Sequence, residues 1–123
     1  MQVEAIFENI GDRIMEELDK AQVSIYISVA WLTNREIISV LQDKVERGCN
    51  LNVMYSNDEI NRRTTDAFDL LKEKKANVYA VGNGDDELMH NKFCVIDHST
   101  VITGSYNWSY KAENQINCLY GVG

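Results

Sequence analysis

The sequence predicts an α/β domain: a mainly parallel mixed sheet flanked by helices, in one unit spanning residues 1–123. Three observations predict it. Strand-length apolar runs alternate with stretches whose apolar residues recur every three to four positions, giving β-α-β-α-β-α-β up to Val81. One run, residues 23–32 (VSIYISVAWL), is almost wholly apolar or small, as expected of a strand buried on both faces. After the third helix the rhythm changes, and residues 91–96 and 100–103 read as a hairpin joined by Asp97-His98-Ser99.

Taken in order, residues 3–7 are short and apolar and suit an edge strand. Asn9 is placed to cap a helix whose Ile10, Ile14, Leu18 and Ala21 share one face. The buried run follows. Thr33-x-x-Glu36 then reads as a capping box for a second helix, striped by Ile37, Val40, Leu41 and Val45 and closed by Gly48. Residues 51–55 form a strand and 56–58 a turn. Residues 59–65 are polar, a loop or ragged helix start. Ala67, Phe68, Leu70 and Leu71 build a third helix, and Lys72, Lys74 and Lys75 suit its carboxyl end. Residues 77–81 are a strand, followed by an acidic turn. Beyond the hairpin, residues 107–113 predict a short helix and 116–120 a last strand. The chain stops soon afterwards at Gly121-Val122-Gly123, which suggests a native chain that continues.

With 123 residues there is enough chain for one core. No apolar run approaches the roughly 18 residues that span a bilayer, and the acidic start lacks the pattern of a signal peptide, so the expectation is cytoplasmic. Cys49, Cys94 and Cys118 are an odd, irregular set, as expected of thiols in a reducing compartment. The net charge of −7 argues against a broad basic surface for polyanions. From residue 88 onward, however, Lys92 and Lys111 balance Asp97 and Glu113, so the excess lies upstream and a local phosphate site stays open.

The chemistry concentrates in residues 89–107 (MHNKFCVIDHSTVITGSYN). On an extended strand His90 and Lys92 project to one side. An imidazole can attack phosphorus or move protons near neutral pH, and an ammonium can neutralise non-bridging oxygens. Gly104-Ser105-x-Asn107 adds close backbone approach, a hydroxyl and a carboxamide. Taken alone, this spacing is a phosphate-site hypothesis.

His90-x-Lys92, four residues, Asp97, six residues, Gly104-Ser105-x-Asn107 resembles the HKD signature of the phospholipase D superfamily, in gap lengths as well as residues. One copy is present, as in the small single-motif members, which include bacterial endonucleases and cardiolipin hydrolase-like proteins. The resemblance implies a homodimer in which two motifs complete one active site. It also implies phosphodiester hydrolysis through a phosphohistidine, with no metal and no cofactor. His90 of one subunit would be the nucleophile and His90 of the other the acid and then the base. Lys92 and Asn107 would hold phosphate oxygens, with Ser105 as helper. Asp97 belongs to the motif as a structural or orienting residue rather than a substrate contact. One departure stands out. Family members usually carry a glutamate about ten residues after the motif asparagine, and Asn117 stands there in a gapless alignment. That predicts reduced activity, with Glu113 a substitute only if the local helix rearranges.

Plainer readings compete for the other residues. His98 reads as a solvated turn residue. A metal set of His90, Cys94 and His98 has poor geometry on a strand and turn. Cys94 and Cys118 suit core packing. Trp31 and Thr33, after the buried strand, suit either the core or a substrate-binding rim. Tyr106 and Trp108 suit base stacking or a dimer interface, and Arg62 and Arg63 a solvated face or a phosphate rim. The acidic turn at Asp85, Asp86 and Glu87 would repel a long polyanion. The resulting expectation is a phosphodiesterase, with nucleic acid as the favoured substrate and a membrane disfavoured. The alternatives are a cardiolipin-type hydrolase and a weakly active or inactive phosphate-binding module of a larger protein.

Overall fold

Ile25, Ile27 and Val29 alternate along an interior strand and point into the core, which is why the apolar run at 23–32 organises the sheet. The computed structural model describes residues 3–82, 91–110 and 119–122. Their order is β1 (Val3–Ile6), α1 (Ile10–Asp19), β2 (Ser24–Val29), α2 (Arg35–Glu46), β3 (Asn50–Ser56), α3 (Glu59–Arg62), α4 (Thr65–Glu73), β4 (Asn77–Val81), β5 (Lys92–Ile96), β6 (Thr100–Gly104) and β7 (Leu119–Val122).

One seven-stranded sheet runs β1-β7-β6-β5-β2-β3-β4. It has the mixed character that the sequence predicts, divided into two halves, but with two parallel and four antiparallel pairings among the described residues it is not the mainly parallel sheet expected. β2, β3 and β4 pair in parallel, with Ile27 beside Val53 and Val53 beside Val78. β5 joins β2 antiparallel, and β6, β7 and β1 continue antiparallel to the far edge. The edge strand expected at the amino terminus is therefore present, separated from β2 by three strands.

The helices meet one another, α1 against α2 and α2 against α4. Their buried stripes are Ile10, Ile14 and Leu18, then Ile37, Ile38 and Leu41, then Ala67, Phe68 and Leu71. Each large side chain buried there contributes roughly 2 kcal/mol. Lys44, in the last turn of α2, is also buried. Its ammonium donates to the carbonyls of Asp19 and, at 3.1 Å, Ala21, which serves the orphan carbonyls after α1.

Several local expectations need correction. The cap of α2 is Asn34, not Thr33: its Oδ1 accepts from Glu36 N at 2.9 Å and Ile37 N at 3.2 Å. The helix starts one residue later than the Thr33 box implies, at Arg35. Asn9 does precede α1, but in the left-handed region at φ 51° and without a side-chain cap bond. Tyr26 is exposed, so β2 is not buried at every position. The polar segment at 59–65 holds the short helix α3, capped by Asp58. The helix expected at 107–113 does not form over 107–110, where Trp108 makes a strand bridge to Leu32; the rest of it lies outside the described residues. The last strand covers Leu119–Val122 and so runs past Tyr120, while residues 116–118 of the expected strand lie outside the described set. Gly48 follows α2 with φ 93°, as its capping role requires.

Candidate active site at the carboxyl end of β2

Register brings the motif together. Val29 pairs with Lys92, so β5 starts beside the carboxyl end of β2. Phe93 pairs with Thr103, so Gly104 leaves the sheet at that same end. Gly104 has φ 155°, a conformation that residues with side chains rarely adopt.

From there the chain alternates. Ser105 is exposed, Tyr106 buried, Asn107 half-buried and Trp108 buried. The two aromatic side chains, each 1% exposed, anchor the segment in the core, and the period of two turns Ser105 and Asn107 the other way. This overturns the expectation that Tyr106 and Trp108 serve base stacking or a dimer interface: both are core residues. Trp108 N donates to Trp31 O at 3.0 Å, and Trp108 O accepts from Thr33 N and Asn34 N at 2.8 and 2.9 Å. Asn107 Oδ1 accepts from Trp31 N at 3.1 Å. With its carbonyl oxygen so held, the carboxamide keeps an NH₂ able to donate to an anion.

Trp31 and Thr33 are both half-buried and line a cleft of about 350 Å³ together with Arg35, Arg63, Ser109 and Tyr110. The Trp31 indole is fixed by Nε1 donating to Asp58 Oδ2 at 3.0 Å. Arg35 pairs bidentately with Asp66, both distances 3.0 Å, and donates to the Arg63 carbonyl at 3.2 Å. The Asp66 carboxylate raises the pKa of Arg35, and the guanidinium holds Asp66 below the usual carboxylate range.

Sequence reasoning passed over Asn61. It is buried; its Nδ2 donates to the carbonyls of Ala30 at 2.7 Å and Ser56 at 2.6 Å, and its Oδ1 accepts from Leu32 N at 2.9 Å. One side chain thus ties the ends of β2 and β3 beneath the site. The available signal was Asp58-x-x-Asn61, a cap followed three residues later by a second short polar side chain.

Asp97, expected as a structural or orienting residue of the motif, lies at the other end of β5 from Lys92. Its carboxylate accepts from the backbone N–H groups of Gln22 at 3.0 Å, Val23 at 2.7 Å and Ser24 at 3.0 Å. Those bonds, Val23 first, hold its pKa below the usual carboxylate range. The geometry therefore gives it a structural role. His98 is exposed beside it, its ring 5.7 Å from that of Tyr26. Cys94 points into the core, where burial pushes its thiol pKa up. Cys49 is buried as well. His90, Glu113, Asn117 and Cys118 lie outside the described residues. Among the described residues no cluster of His, Cys, Asp and Glu is arranged to hold a metal, and no helix is long and apolar enough to cross a membrane.

A family described as "Cardiolipin synthase, PLD-like domain" matches residues 14–118. The chain belongs to this phospholipase D-like family. It is 27% identical over 105 residues to mitochondrial cardiolipin hydrolase of Chlamydomonas reinhardtii, covering 85% of this chain and 46% of the relative. It is 26% identical over 105 residues to a phospholipase D of Rickettsia typhi, covering 83% and 48%. The chain thus spans about half the length of the curated relatives it matches. The fold matches Nuc of Salmonella typhimurium, a phospholipase D family member, with TM-score 0.84 and 19% identity over 98% of this chain and 82% of that one. NucT of Helicobacter pylori matches with TM-score 0.80 and 22% identity, covering 98% and 84%.

Proposed function

We propose that this chain is a metal-independent phosphodiesterase that works as a homodimer and acts on nucleic acid. The observation that carries the reading is the convergence of Lys92, Gly104-Ser105 and Asn107 on the carboxyl end of β2, in a chain of phospholipase D-like family. His90, two residues before Lys92, attacks phosphorus. The phosphorus–oxygen bond to the leaving group breaks, and that oxygen takes a proton from His90 of the partner subunit. Water then attacks the phosphohistidine, gives its proton to the same partner imidazole, and releases the phosphomonoester. Lys92 and the Asn107 amide neutralise and hold the non-bridging oxygens, Ser105 assists, and Asp97 positions the hairpin.

For the substrate, the names of similar proteins point two ways. The curated relatives are a cardiolipin hydrolase and a phospholipase D. TrmBL2, an archaeal chromatin protein with TM-score 0.73 and 15% identity over 99% of this chain and 45% of that one, is described by its mode of DNA binding. The polar and aromatic cleft beside Asn107 favours nucleic acid.

A substrate panel in EDTA tests the reading: single- and double-stranded DNA, RNA, cardiolipin vesicles and bis(p-nitrophenyl) phosphate. Cleavage of nucleic acid that persists in EDTA and falls by about 10³-fold or more in His90→Ala is expected. Cardiolipin as the sole substrate would overturn the substrate, and no turnover by a confirmed dimer would overturn the enzyme.

A further inference from the structure

We infer that the cleft beside Asn107 is a subsite for one unpaired nucleotide flanking the scissile phosphate, and that the enzyme therefore prefers single strands. The inference rests on the phosphodiesterase reading and adds a place for the base. Trp31 belongs to both sites: its backbone N–H fixes Asn107, and its indole lines the cleft. The ring cannot swing away, because Nε1 is tied to Asp58. Tyr110 is 50% exposed on the same cleft. A fixed, half-buried indole beside an exposed tyrosine ring gives an unstacked base surfaces to stack on, whereas a paired base has its faces already covered.

Charge and size point the same way. Arg63 is exposed, and among the described residues its guanidinium has no carboxylate partner, while Arg35 is neutralised by Asp66 and steadies the Arg63 carbonyl. Arg63 is thus a single cation on a fixed base, suited to one phosphate. About 350 Å³ is near the low end of ligand cavities and suits a nucleotide. Thr33, half-buried on its wall, offers a hydroxyl to a base edge. In a chain of net charge −7, stacking rather than a broad basic field has to supply the affinity.

Tryptophan fluorescence with a short oligothymidylate tests this, because the second tryptophan, Trp108, is buried and the signal reports Trp31. The oligonucleotide should quench the emission, and Trp31→Phe should abolish the signal. Tyr110→Ala and Arg63→Ala, both at exposed positions, should each weaken binding about tenfold. They should also reduce oligonucleotide turnover about tenfold more than turnover of bis(p-nitrophenyl) phosphate, which is too small to reach both sites. Binding should lose affinity with salt at a shallow slope, about −0.7 per phosphate contacted, for one or two contacts. Equal quenching by duplex DNA overturns the subsite, as does quenching by anionic phospholipid vesicles but not by the oligonucleotide, or unchanged affinity in both variants. Quenching without hydrolysis of any diester keeps the subsite and removes the enzymatic reading. Hydrolysis without quenching does the reverse.

Discussion

The two ends of β5 use the same motif in opposite ways. At the end beside Val29, Lys92 is followed in space by Gly104, Ser105 and Asn107, and the aromatic residues 106 and 108 are sunk in the core so that the polar residues between them face away from it. At the other end Asp97 turns inward, and its carboxylate is consumed by three backbone N–H groups of the turn between α1 and β2. Six residues separate Asp97 from Gly104, the length of a tight turn and a strand running back. The motif spacing is therefore a strand-length ruler. It places the proposed phosphate-holding residues at one end and the fastening of the hairpin at the other, so one residue of the motif serves the fold alone.

The contrast can be broken by substitution. The largest effect is expected at the Lys92 end. Lys92→Ala should lower kcat by about 10²–10³, the cost of one lost oxyanion partner, with Tm little moved. Next comes the floor of the site. Asn61→Ala leaves Leu32 N–H and the carbonyls of Ala30 and Ser56 without their buried partner, and should cost about 3 kcal/mol in denaturant unfolding. At the far end, Asp97→Ala should cost about 2 kcal/mol, read chiefly in Tm. Retained Tm with lost turnover in that variant would erase the distinction between the two ends.

The smallest effect is acid dependence. The folded-state pKa of Asp97 is held down by its backbone donors, so the unfolded chain takes up the proton first. Its stabilisation is full above the unfolded value of about 4 and is lost as pH falls through the lower folded value. Asp66, held down by Arg35, adds to the loss in the same direction. Thermal melts of wild type and Asp97→Asn should converge as the pH falls below about 4. Parallel curves down to low pH would show that the Asp97 carboxylate is not charged where the hydrogen bonds place it.

The linear pattern determined the β-α alternation, the helix stripes, the hairpin and the family motif, because periodicity and turn chemistry are local properties of a chain. The stripe of Ile10, Ile14 and Leu18 is buried as its spacing requires, and Val3–Ile6 is the edge strand that its length suggested. What remained for the tertiary structure was every assignment that depends on which strand lies beside which. No local pattern says that β1 pairs with β7 at the far edge, that the Thr33 and Asn34 backbones are held by the Trp108 carbonyl, or that Tyr106 and Trp108 go inward. Asn61 is the plainest case. Its sequence neighbours only mark a short helix, and its role exists only because the ends of two strands, distant in sequence, leave three backbone groups that one carboxamide can satisfy.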